Sequence, residues 1–113
     1  MHVRHWENSG GNILDKYTVK MFPQAYRDID KIYGQALLVS NYADDAIALA
    51  EKLEKAILSL EEQPYRGAER KYGFYAFKGY RQLTVENYII VYEVFENEKV
   101  VAVVTIKYGK SEF

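Results

Sequence analysis

Tyr80-Arg81-Gln82-Leu83-Thr84-Val85-Glu86, Tyr88-Ile89-Ile90-Val91-Tyr92-Glu93-Val94-Phe95 and Val100-Val101-Ala102-Val103-Val104-Thr105-Ile106-Lys107-Tyr108 follow one another in the last third of the chain. Each reads as a β-strand, because β-branched and aromatic residues dominate and polar residues separate the runs. In the first run Arg81, Leu83 and Val85 share one parity and face a core, while Tyr80, Gln82, Thr84 and Glu86 face the open side. Ile89-Ile90-Val91 and Val100 through Val104 are apolar on both parities, which predicts central strands covered at least in part on both faces. Glu96-Asn97-Glu98 is a short polar connection, so a hairpin joins the last two runs.

Working back from the strands, two helical patterns precede them. Tyr17 to Phe22 mostly alternates apolar with polar residues, as a half-buried strand does. Pro23 ends it and suits a helix's first turn, where its missing N–H costs nothing. Tyr26, Ile29, Tyr33, Ala36 and Leu37 then recur on one face of helix one, with Arg27, Asp28, Asp30 and Lys31 on the other. Ser40-Asn41 is the expected cap of helix two, and Asp44-Asp45 in its first turn suit the positive end of the helix dipole. Its stripe is Ala43, Ala46, Ile47, Ala50, Leu53, Ile57 and Leu60. Pro64 stops it and Arg66-Gly67 make a turn. The order is β-α-α-β-β-β, which predicts an α+β domain with an antiparallel sheet packed against two helices.

Residues 1–16 are set apart. Ser9-Gly10-Gly11-Asn12 is a flexible break with no periodicity before it. We expect 1–16 to be an N-terminal extension, disordered or non-native, and 17–113 to be the domain. The Gly10-Gly11 segment suits a purine-rich ribosome-binding site and Leu14 a TTG start codon, so residues 1–13 are expected to precede the native start.

Composition narrows the chemistry. A chain of 113 residues has room for one domain that buries about two-thirds of its unfolded surface. It lacks an apolar run of the roughly 20 residues that a membrane-spanning helix requires, and no membrane partner is expected. With no cysteine there is no disulfide framework and no thiolate metal site, and the cytoplasm is the expected compartment. The only histidines, His2 and His5, lie before the domain. No glycine-rich phosphate loop occurs. Hydrolases of the common triad or metal types are therefore excluded, and no cofactor or metal is expected. The net charge of −1 hides an asymmetry: from Pro64 to Val85, Arg66, Arg70, Lys71, Lys78 and Arg81 stand against Glu69 alone. Such a stretch on a near-neutral protein touches phosphate or an acidic partner, or lies along a solvated edge.

The run Leu53 to Glu61, then Pro64-Tyr65-Arg66-Gly67, Lys78-Gly79-Tyr80-Arg81-Gln82-Leu83, Asn87-Tyr88-Ile89-Ile90-Val91-Tyr92 and Ile106-Lys107-Tyr108-Gly109-Lys110 stand in this order and spacing. Together they resemble the RelE/ParE superfamily of toxins from type II toxin–antitoxin (plasmid stabilisation) systems, over about residues 16–112. The resemblance implies a growth-inhibiting toxin neutralised by a cognate antitoxin, as a homodimer or a heterotetramer with it. One branch of the superfamily cleaves mRNA on the ribosome and another poisons DNA gyrase. The basic residues of the ribonuclease branch fall on Tyr80, Gln82, Ile89 and Ser111, none of which is basic. Phe113 is reached before the helix that carries that branch's catalytic tyrosine. Lys78, Arg81 and Lys110 are the substitutes if the chain is nevertheless a ribonuclease. The ParE-like branch fits better and implies inhibition of gyrase by binding, without catalytic residues. A degenerate toxin fold kept for interaction is a third reading.

Candidate contacts follow. For the target these are Arg70, Lys71, Tyr80, Gln82 and Tyr108. Arg81 shares the core parity and is also read as a structural partner of Glu54 or Glu61. Ile32, Leu38, Leu49 and Leu58 lie off the main helical stripes, and with the sheet edges they suggest a groove for an amphipathic or extended antitoxin segment.

Overall fold

A computed structural model of the chain describes residues 16–39 and 43–109. Its elements are β1 (Thr18–Met21), α1 (Pro23–Val39), α2 (Ala43–Ser59), β2 (Ala68–Glu69), β3 (Tyr80–Val85), β4 (Tyr88–Phe95) and β5 (Val100–Tyr108). The expected α+β order stands, with a two-residue strand added. The sheet order is β1-β5-β4-β3-β2. β3, β4 and β5 form the antiparallel meander, so the two runs that are apolar on both parities are the central strands. β1 pairs parallel with β5, Met21 opposite Val103, which makes the sheet mixed. The long crossover through both helices is what allows this parallel pairing.

The core lies between the sheet and the helices. Val19, Leu53, Ile57, Leu60, Ile90, Tyr92, Val101, Val103 and Ile106 are fully or almost fully buried there. On α2, Ala46, Leu53 and Ile57 face inward as the stripe requires, while Ile47 is exposed. The capping residues Ser40 and Asn41 lie outside the described residues.

On α1 the expected face is corrected. Ala25, Asp28 and Ile32 are buried, whereas Tyr26 and Leu37 are exposed, so the helix is turned by about one residue from the reading above. Asp28 explains the turn. Beyond Met21, β1 no longer covers the edge of β5, where the ladder also carries an irregularity opposite Val91 and Tyr92. The Asp28 carboxylate takes over there, accepting the Thr105 hydroxyl and the Ile106 N–H, the latter at 3.0 Å. Gln24 donates to its other oxygen at 2.8 Å, and the Lys107 ammonium lies 3.9 Å from it. A buried N–H left without a partner costs about 1–3 kcal/mol, which is why an acid occupies a core position here. Ile32, expected off the stripe, is therefore a core residue with 6% of its surface exposed.

Gly67 marks the other tight place. A Cβ there would stand 2.3 Å from the Gln82 carbonyl oxygen and 2.7 Å from the Tyr92 hydroxyl. Only glycine lets the turn after α2 come this close to β3. The approach also satisfies the buried Tyr92 hydroxyl, which accepts the Gly67 N–H at 3.0 Å.

Candidate functional site at the two ends of the sheet

The strands of the meander end in two differently built surfaces. At the first end, Asn87 turns β3 into β4, and the Gly109 N–H donates to the Asn87 carbonyl at 2.7 Å. This sets the end of β5 beside the start of β4. The Tyr88 and Tyr108 rings meet edge to face there, 5.8 Å apart. The last turn of α1 runs past them, and together Gln35, Ala36, Leu38, Val39, Tyr88 and Tyr108 line a groove of about 500 Å³. Leu38 and Val39 are 85% and 86% exposed. Two neighbouring aliphatic side chains so open to water, beside two tyrosine rings, form an apolar surface ready to be covered.

The expected groove residues divide here. Leu38 lines this groove, Leu49 is half-buried against the core, Leu58 is half-buried, and Ile32 lies beneath the surface. Tyr108, expected to touch a target, stands in the same groove.

At the opposite end, β3 begins at Tyr80, about 17 Å from Val85 for strand geometry. The connection from β2 to Tyr80 is a closed loop. The Arg70 N–H donates to the Tyr80 carbonyl at 2.8 Å, and the Phe77 N–H donates back to the Arg70 carbonyl at 3.0 Å. Arg70 itself is buried, and its guanidinium donates to the Gln82 side-chain oxygen at 2.8 Å. Arg70 and Gln82, both expected at the target, are thus bonded to each other. The Tyr80 ring packs edge-on against Tyr75 at 5.0 Å. Lys71 is exposed.

Arg81 has a structural role, but with a different partner from the one expected. Its guanidinium donates to the Gly67 carbonyl at 2.6 Å and the Tyr65 carbonyl at 3.2 Å, and lies 5.2 Å from the centre of the Tyr65 ring. It ties the turn after α2 to β3 instead of pairing with Glu54 or Glu61. Lys78 lies over the Phe74 ring, 4.2 Å from its centre. The ribonuclease substitutes Lys78 and Arg81 are therefore engaged at separate places, and Lys110 lies outside the described residues.

Glu96, in the turn between β4 and β5, fastens this end. Its carboxylate accepts the Lys99 ammonium at 2.8 Å, the Tyr65 hydroxyl at 2.6 Å and the Tyr17 hydroxyl at 2.7 Å. Hydrogen bonds from Lys99 first, then from Tyr65 and Tyr17, lower its pKa from 4.5 to about 2. The same carboxylate raises the pKa values of both tyrosines.

The sequence reading missed the side chains displayed most openly at this end, Tyr72, Phe74 and Phe77. A density of four aromatics within residues 71–78, with neither helical nor strand spacing, is the signal that marked them. Among the described residues no helix is long and apolar enough to cross a membrane, and no three acidic or imidazole side chains gather as a metal site.

Comparison with known proteins agrees with the architecture. The family described as "ParE toxin of type II toxin-antitoxin system, parDE" matches residues 19–113. No curated protein matches the chain. Among solved structures, the chromosomal ParDE system from P. aeruginosa superposes with a TM-score of 0.69 at 20% identity, covering 83% of this chain and 97% of that one. The toxin–antitoxin complex RelBE2 from Mycobacterium tuberculosis gives 0.58 at 18% identity, over 86% and 95%. A mutant of the E. coli toxin RelE in the free state gives 0.55 at 15% identity, over 84% and 85%.

Proposed function

Because the chain belongs to the ParE toxin family of type II toxin–antitoxin systems, we propose that it arrests growth by binding and inhibiting DNA gyrase, without catalysing a reaction, and that a cognate antitoxin neutralises it. The engagement of the arginines carries this reading. Cleavage of RNA needs cationic side chains free to steady the charge developing on a phosphate, and each such group is worth a hundredfold or more in rate, on the order of 3 kcal/mol. Arg70 is tied to Gln82, and Arg81 to the carbonyls of Gly67 and Tyr65. Neither guanidinium is held ready for a substrate, and Tyr80 and Gln82 beside them supply no base. A toxin that works by occupying its target needs no such groups.

The groove at the end of α1 is the proposed seat of the antitoxin. Its apolar lining and the exposure of Leu38 and Val39 suit the apolar face of an amphipathic helix or an extended segment. The complex forms in the cytoplasm, with no cofactor.

Primer extension on cellular mRNA after induction of the free toxin tests the choice of target. The expected result is growth arrest with DNA-damage signalling and no codon-phased cuts. Codon-phased cleavage that disappears in Arg81→Ala would overturn this reading in favour of a ribosome-dependent endoribonuclease.

A further inference from the structure

The loop between β2 and β3 displays aromatic side chains that stay largely open to water. Tyr72, Phe74 and Phe77 are 77%, 69% and 73% exposed. A single exposed apolar residue is ordinary, but three within six positions of one loop are not. The loop's backbone bonds to itself. The Ala76 N–H donates to the Gly73 carbonyl at 3.1 Å and the Phe77 N–H to the Arg70 carbonyl at 3.0 Å. Phe74 meets Tyr75 edge to face at 5.1 Å, and Tyr75 meets Tyr80 in turn at 5.0 Å. Phe77 has a φ of 55°, a left-handed conformation that bulky side chains rarely adopt. Here the backbone turns a large aromatic ring toward water at a φ where glycine would serve the turn alone.

We propose that this loop is the surface by which the protein grips its target, and that the target presents a protein pocket, apolar inside and lined with carboxylates at its rim. The proposal rests on the reading that the chain arrests growth by binding, and it specifies where the binding occurs. Exposed aromatics are the side chains that dominate protein interfaces. Lys71 and Lys78 flank them and complement an acidic rim.

A nucleic-acid partner fits less well. A phosphate backbone is held by several free cations at once. Here Arg66 donates to the Ser59 hydroxyl at 2.6 Å, Arg70 to Gln82 and Arg81 to two carbonyls. The Lys78 ammonium also covers the Phe74 face on which a base would stack.

The test uses the full chain, induced in cells without antitoxin, and three variants: Tyr72→Ser/Phe74→Ser/Phe77→Gly, Lys71→Glu/Lys78→Glu, and Phe77→Gly alone. Growth arrest is scored against toxin level, and thermal unfolding of each purified protein shows that it folds. The triple variant should need at least about tenfold more protein to arrest growth, with the charge-reversed pair shifted in the same direction. Should the triple variant fail to fold, Phe77→Gly decides, because it relieves the positive φ and so keeps or raises the unfolding temperature while weakening arrest. Folded loop variants that arrest growth like the wild type, or a wild-type chain that arrests nothing, overturn the proposal. So does retention of a single-stranded oligonucleotide by the wild type that the triple variant loses, which assigns the loop to nucleic acid. Supercoiling by purified DNA gyrase separates the two claims. If wild type leaves gyrase unaffected while the loop variants lose arrest, gyrase is the wrong target and the loop still grips another protein.

Discussion

Both ends of the meander expose large apolar side chains, and they are built on opposite plans. The groove end is made by side chains on regular elements: the last turn of α1 laid beside Tyr88 and Tyr108, held through Asp28 to β5. The loop end is made by backbone and arginines: a closed loop with Phe77 at positive φ, fastened by Arg70, Arg81 and Glu96. A surface on a helix adapts by side-chain rotation and suits a partner that folds onto it. A surface on a locked loop arrives in one shape and suits a partner that is already folded. The difference supports two partners of different kinds.

The strongest way to break the groove end alone is Asp28→Ala. It leaves the Thr105 hydroxyl and the Ile106 N–H buried without an acceptor and frees α1 from β5. The expected loss is about 2–4 kcal/mol of stability, read from urea unfolding. A loss of a few tenths would mean that the carboxylate does not organise this end.

Arg81→Ala is the matching change at the loop end. It removes the donor to the Gly67 and Tyr65 carbonyls, for an expected cost of about 1–3 kcal/mol. Hydrogen exchange should rise in residues 65–79 and stay unchanged near Tyr88 and Tyr108. Exchange rising equally at both ends would show that the ends are not independent.

Leu38→Asp sharpens the contrast without disturbing the fold. Because Leu38 is almost fully exposed, the unfolding temperature should hold. Affinity for the cognate antitoxin, measured by titration calorimetry, should fall about tenfold, or 1.4 kcal/mol. Unchanged affinity would move the antitoxin elsewhere.

The smallest effect concerns acid. The Glu96 pKa is lowered from 4.5 to about 2 in the folded chain, so its contribution is present above about 4.5 and fades as pH falls through about 2. Replacing Glu96 by Gln should lower the unfolding temperature near neutrality, and that difference should shrink between pH 4.5 and 2. A difference independent of pH would assign the effect to packing.

How far the sequence was legible follows the same division. The central strands were readable because Ile89-Ile90-Val91 and Val100 to Val104 are apolar on both parities, which only burial on both faces explains. α1 was read one residue out because Asp28 counts as polar in any periodicity, and its acceptor role belongs to a strand 77 residues away. The parity of Arg81 was correct, but its partners are carbonyls of a turn, which carry no sequence signature. The aromatics of residues 71–78 stood out by their density alone, which does not tell whether they fill a core or face water. Gly67 was readable as a turn, though the approach of Gln82 and Tyr92 that requires it was not.

The measurement that bears most directly on the whole account is supercoiling by purified DNA gyrase, titrated with the wild-type chain and with Phe77→Gly. The account predicts that the wild type inhibits gyrase and that Phe77→Gly, folded and no less stable, requires at least about tenfold more protein for the same inhibition. Gyrase that supercoils at full rate in the presence of the wild type, or equal inhibition by both chains, would contradict it.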